Sequence, residues 1–203
     1  MRKPHQTAVL IDGTALYFRT KQERGERLDY AALDRHLRQK SGAEAFQPAI
    51  FFTSFDPANE GQTKFHNFLR TQLGWRTEES PVWEADPALK DAPGDRSERH
   101  NEFIRFDAPI SFALGRLVES RSRIVVLTDS YGVQSSMTAA STYGNVKVTL
   151  AFFGRQLDPR WLSVFRRSNN PVEFWDLDDA SAELFGREEI SAEMLGSALS
   201  HLR

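Results

Sequence analysis

AVLIDG at residues 8–13 and IVVLTD at residues 124–129 decide the fold. In each, four apolar residues run without polar alternation and the run closes on a carboxylate: at once on Asp12, and on Asp129 after Thr128. An unbroken apolar run of strand length suits a strand buried on both faces, the environment inside a parallel sheet covered by helices. Ligands of such sheets bind beyond the carboxyl ends of the strands, where the strand order reverses. Asp12 and Asp129 therefore mark the rim on which chemistry is expected.

Working outward from these two strands, strand and helix signals alternate. Asp29 is expected to cap a helix carrying Tyr30, Leu33 and Leu37, with Gly42 as its stop. A strand over 49–53 and a helix with Phe65, Phe68, Leu69 and Leu73 on one face, ended by Gly74, come next. Residues 75–83 read as a weak strand. Asp107 is placed to cap a helix with Ile110, Ala113, Leu114, Leu117 and Val118 at helical spacing. Beyond Asp129 follow a small-residue helix ending near Gly144, a strand over 146–153, a helix around 159–168 and a short strand, Val172 to Trp175. The alternation implies βαβ units and an α/β fold: a Rossmann-like, mainly parallel sheet flanked by helices on both faces. Residues 1–186 read as one domain and 187–203 as a helical tail with Ile190, Met194, Leu195 and Leu199 on one face. Residues 85–101, with Pro87, Pro93 and Gly94, read as a long surface loop, either a solvated insert or a flap over substrate.

Composition narrows the class. The chain has 203 residues, 40% of them hydrophobic and 27% charged, with a formal net charge of −2, and a mean hydropathy of −0.50. That balance supports a real core and advertises no bulk attraction to nucleic acid. No cysteine is present, which excludes disulfides, thiolate metal sites and cysteine nucleophiles. No stretch approaches the length needed to span a bilayer, and the N-terminal MRKPHQ carries no apolar signal core, so no membrane partner is expected and the cytoplasm is the default location.

Three aspartates share one topological address. Asp12 and Asp129 close buried strands and Asp107 opens a helix, so all three are expected on one rim of the sheet. Gathered carboxylates repel one another and raise their own pKa values unless a cation is present, which makes Mg²⁺ or Mn²⁺ the natural occupant. Such an ion activates water and neutralises a phosphodiester. Thr14, Thr128 and Ser130 supply hydroxyls for bound water, and Arg155, just past the strand that ends at Phe153, offers a guanidinium for a phosphate. Structural duties compete with this reading: Asp107 and Asp129 are both positioned to cap helices, whereas Asp12 has no evident capping duty. The other basic residues, among them Arg160, Arg166 and Arg167, read mostly as a solvated helix face, and the five histidines as exposed side chains without ligand spacing. Phosphate-binding glycine loops and a nucleophile elbow are absent. IDGT at 11–14 is similar to the phosphatase motif of haloacid dehalogenase-like enzymes, but Leu10 stands where their nucleophilic aspartate belongs.

With these residues in view the chain resembles an NYN domain of the LabA-like group, within the PIN-like nuclease superfamily. AVLIDGTALYF is similar to the family's opening strand, FIRFDAPISFALGRLV to its K-G-V-D helix start, IVVLTDSYGVQSSM to its S-G-D-x-D-F strand and turn, and LSVFRRSNNPVEFWDLDD to its closing helix and strand. The resemblance implies metal-dependent endoribonuclease activity on RNA, single-stranded by expectation, with the family's acidic residues carried onto Asp12, Asp107 and Asp129. Ala15, Tyr131 and Ala113 stand where the family usually has asparagine, a second aspartate and a further acidic residue. One hydrated ion is compatible with such a reduced set, two are not. The alternative is a catalytically inactive module of the same fold that binds RNA, a protein partner or a second copy of the chain.

Overall fold

A computed structural model describes residues 6–23, 25, 27–42, 45–81, 106–167 and 169–185. The predicted loop at 85–101 and the predicted C-terminal tail lie outside these residues. The strands are β1 (Gln6–Asp12), β2 (Ala45–Phe46), β3 (Ile50–Phe55), β4 (Arg76–Pro81), β5 (Arg123–Leu127), β6 (Lys147–Phe152) and β7 (Val172–Asp176). They form one sheet in the order β4-β3-β1-β5-β6-β7, with the two-residue β2 also beside β1, and every pairing is parallel. The helices are α1 (Gly13–Tyr17), α2 (Tyr30–Ser41), α3 (Glu60–Thr71), α4 (Asp107–Leu117), α5 (Gln134–Gly144), α6 (Pro159–Phe165) and α7 (Ser181–Leu184). The fold is thus the α/β, Rossmann-like arrangement that the two apolar runs imply.

The burial pattern explains why those runs carry the fold. Val9, Leu10 and Ile11 of β1 and Ile124 to Leu127 of β5 are inaccessible to solvent, as central strands covered on both faces require. The edge strand β4 is polar, RTEESP, which suits a strand with one unpaired side. From β1 the chain builds outward to β3 and β4, then returns across the sheet to β5 and continues to β6 and β7. Right-handed crossovers in opposite directions put α2 and α3 on one face and α4 and α5 on the other. The order reverses between β1 and β5, so the crevice of a doubly wound sheet opens between their carboxyl ends.

Local chemistry sets the helix ends. Asp29 caps α2 by accepting from the N–H groups of Ala31 and Ala32, and Gly42 closes it in the left-handed region, φ 57°. After Asp12 the chain is helical, α1 running directly into a π-helical turn over Phe18–Glu23. Two expectations are corrected. Asp107 is the first residue of α4 rather than its cap; Phe106 holds the cap position and makes no side-chain bond there. Asp129 does not cap the helix after β5, because Ser130 does so for the 3-10 turn Tyr131–Val133 that leads into α5.

Candidate functional site

The strand β1 delivers Asp12 to the reversal point at 6% exposure. Its side chain has the capping duty that the sequence did not suggest: Asp12 Oδ1 accepts from the Ala15 N–H at 2.9 Å, starting α1. Asp12 Oδ2 accepts from the Thr128 hydroxyl at 3.2 Å, a bond that ties the ends of β1 and β5 together. The Thr128 hydroxyl is itself an acceptor for the Ser130 N–H at 3.2 Å. Burial, joined by the charges of Asp129 and Asp107, pushes the Asp12 carboxyl up to about 7 against the restraint of the Ala15 and Thr128 bonds. Asp129 and Asp107 therefore both stand near enough to Asp12 for their charges to act on it.

Asp107 reaches the rim from α4. Its carboxylate lies against Gly132, where any Cβ would run into it. Gly132 is thus the residue that makes room for Asp107, and nothing in a linear reading marks it. One oxygen, Asp107 Oδ1, is shielded from solvent with no hydrogen-bond partner. A buried acceptor without a donor is costly, and here the positive end of α4 offers partial compensation. Gly13 plays a spatial role as well: a Cβ there would meet the Phe51 ring, so a glycine lets α1 lie against β3.

Asp129 is partnered by a residue that sequence reasoning missed. Arg19, in the π-helical turn, donates from Nε to Asp129 Oδ2 at 2.6 Å. The Gln156 side-chain amide donates to the Arg19 carbonyl at 2.7 Å and fastens this turn to the segment after β6. Helical continuity through GTALYFR carries Arg19 back over the rim, over a stretch too short to show a period in the sequence.

The remaining predicted residues fall as follows. Thr14 is half-buried in α1, and the Ser130 hydroxyl is engaged in accepting from the Gly132 N–H at 3.1 Å. Arg155 is exposed in the 3-10 turn Gly154–Gln156 after β6, where its N–H donates to Asp178 Oδ2 at 3.2 Å. Arg160 pairs with Asp158 and lies over the Tyr131 ring, 4.7 Å from its centre. The expectation of exposed histidines fails at His66, which is 2% exposed and bonded to Glu79 at 3.0 Å. Its position three residues before Leu69 puts it on the inward face of α3.

Oxygen donors of carboxylate and hydroxyl type suit a hard cation such as Mg²⁺, which binds through one or two carboxylates and keeps its remaining waters. The orphaned Asp107 oxygen fits that chemistry. Among the described residues no three carboxylate or imidazole side chains converge closely enough to grip an ion directly. An ion held by such donors would keep most of its waters.

No family model matches the chain, and no curated protein does. In three dimensions it is similar to the crystal structure of a protein of unknown function from Vibrio parahaemolyticus, at 16% identity and a TM-score of 0.66 over 91% of this chain and 98% of the other. That likeness is one of fold. Among the described residues no helix is long and apolar enough to cross a membrane.

Proposed function

We propose that the chain is a metal-dependent endoribonuclease of the NYN and PIN-like class, acting on RNA phosphodiesters at the rim between β1 and β5. The observation that supports this reading is the placement of Asp129 and Asp107 near Asp12 at the point where the strand order reverses, with Asp12 lifted to about 7 by burial and by their charges. Carboxylates held together at such a cost are suited to a cation. When bound, Mg²⁺ or Mn²⁺ supplies an activated water and neutralises charge on the phosphate.

The protein's own groups do the rest. Asp12, fixed by the Ala15 N–H and the Thr128 hydroxyl, presents a pre-oriented carboxylate, and Asp107 and Asp129 contribute negative charge from either side. The hydroxyls of Thr14 and Ser130 order water, and Arg155 steadies the RNA backbone from the neighbouring loop. The substrate is single-stranded RNA, whose phosphates can enter an open rim without a groove to match.

The test is cleavage of end-labelled single-stranded RNA in the presence of Mn²⁺ and Mg²⁺, with chelator as the control. Asp129→Asn should lower the rate by about a hundredfold or more, the scale on which losing one group that stabilises a transition state is felt. Cleavage that survives Asp129→Asn unchanged would sink the enzyme reading. The Arg19 ion pair on Asp129 favours the second reading, an inactive module that binds RNA or a protein partner: saturable RNA binding without cleavage, indifferent to Asp12→Asn, would establish it.

A further inference from the structure

Asp129 is already held by a cation that the chain itself supplies. We propose that Arg19 is a built-in competitor for the divalent ion: its guanidinium occupies Asp129 in the resting protein and must release that carboxylate before the site fills. The proposal rests on the metal-binding reading above and adds a control on it.

Three features of the structure carry it. The contact is short and charge-assisted, Arg19 Nε to Asp129 Oδ2 at 2.6 Å, and it falls on one of the three rim carboxylates. A divalent ion on the same oxygen would stand within a few ångströms of the guanidinium, where like charges repel even in water. Second, the contact depends on a special backbone. The helix that Asp12 starts as α1 loosens into the π-helical turn Phe18–Glu23, and such insertions are found most often at functional sites. Third, the turn is fastened around Arg19: the neighbouring Thr20 hydroxyl donates to the Leu16 carbonyl at 2.7 Å, and Gln156 donates to the Arg19 carbonyl. The backbone of Arg19 is thus fixed while its side chain, 36% exposed against 19% for Asp129, retains access to solvent into which it can swing. A fixed base with a partly solvated charged tip is what a displaceable counter-ion requires. The same residue that keeps like charges tolerable in the empty site sets a threshold of free divalent cation for filling it.

The experiment measures Mn²⁺ binding to the full chain at pH 8 from the paramagnetic resonance of free Mn²⁺, for wild type, Arg19→Gln and Arg19→Lys. Arg19→Gln should bind about fivefold more tightly than wild type, the factor that a partly exposed ion pair is worth. Arg19→Lys, which keeps the charge, should stay close to wild type. Measurable binding in Arg19→Gln with none in wild type also supports the proposal. Equal, saturable binding in wild type and Arg19→Gln overturns it and leaves the metal reading standing. A gain in Arg19→Lys as large as in Arg19→Gln overturns it too, since charge would then not be what competes. Absence of binding in all three removes the metal reading, and the proposal falls with it.

Discussion

Two buried ionisable clusters sit on the same sheet and are solved in opposite ways. Near the β4 edge, His66 of α3 bonds Glu79, and Glu79 is also paired with Arg70; burial holds the imidazole below its usual range, only partly offset by the Glu79 charge and bond. At the β1–β5 rim, Asp12 is desolvated too, but its charged neighbours are Asp129 and Asp107, which add to the shift. The first cluster supplies its own counter-charge and donors, and it reads as structure. The second gathers three carboxylates against one guanidinium, that of Arg19 on Asp129, and leaves a shielded Asp107 oxygen without a donor. A protein interior tolerates such a debt where something from outside completes it.

The largest expected effect comes from this second cluster. Asp12 shifts from 3.8 to about 7 on folding. Between those values the unfolded chain has shed its proton and the folded chain keeps it, so rising pH takes stability away. The loss begins above pH 4 and is complete above pH 7, an upper bound of about 4 kcal/mol in the metal-free protein. Urea unfolding from pH 4 to 8 should show this fall, Asp12→Asn should remove most of it, and saturating Mn²⁺ should reverse it by binding the ionised, folded form. A wild-type profile that is flat over this window, or one that Asp12→Asn leaves unaltered, would erase the contrast between the two clusters.

How much of this contrast was legible in the residues depends on which interactions are local. The strands were readable because apolar runs report burial directly, and Asp29 and Gly42 were readable because a cap acts within a few residues. The role of Asp12 as a cap was hidden: α1 has five residues, too few to show a period, and its start depends on the conformation of Asp12 itself. Arg19 was hidden more deeply, since its partner Asp129 lies 110 positions away in sequence and only the β1–β5 adjacency joins them. Gly132 matters through the volume that Asp107 fills, a quantity with no pattern in the chain. His66, by contrast, could have been found, because it shares the inward face of α3 with Leu69.

A smaller effect is expected from the first cluster, with the opposite sign. The His66 pKa is lowered in the fold, so the unfolded chain takes up a proton first as pH falls through the ordinary value of 6.5, and stability declines on the acid side. His66→Ala should cost about 2 kcal/mol at pH 8, from the lost packing and hydrogen bond, and should flatten that acid-side decline. Glu79 keeps Arg70 as a partner in the variant, so Mn²⁺ affinity should be unchanged. A change in Mn²⁺ affinity would mean that the two clusters are coupled and that their separation into structure and site is wrong.

The smallest effect probes a neutral side chain that serves Asp12 from across the reversal point. The Thr128 hydroxyl donates to Asp12 and accepts from the Ser130 N–H, and its bond lowers the Asp12 pKa. Thr128→Val keeps the shape and deletes both bonds, at a cost of about 1 kcal/mol. Because a restraint on protonation is lost, the Asp12 transition should move upward in pH, read from the midpoint of the stability profile or from the carboxyl resonance of Asp12. The sign of this shift is the discriminating result. An upward move means that the β1–β5 crevice is organised to keep Asp12 ionised in spite of burial, as a ligand for a cation must be. A downward move would mean that removing the hydroxyl had opened the rim to water, and that burial by the surrounding fold, rather than the bond between the strand ends, sets the state of the site.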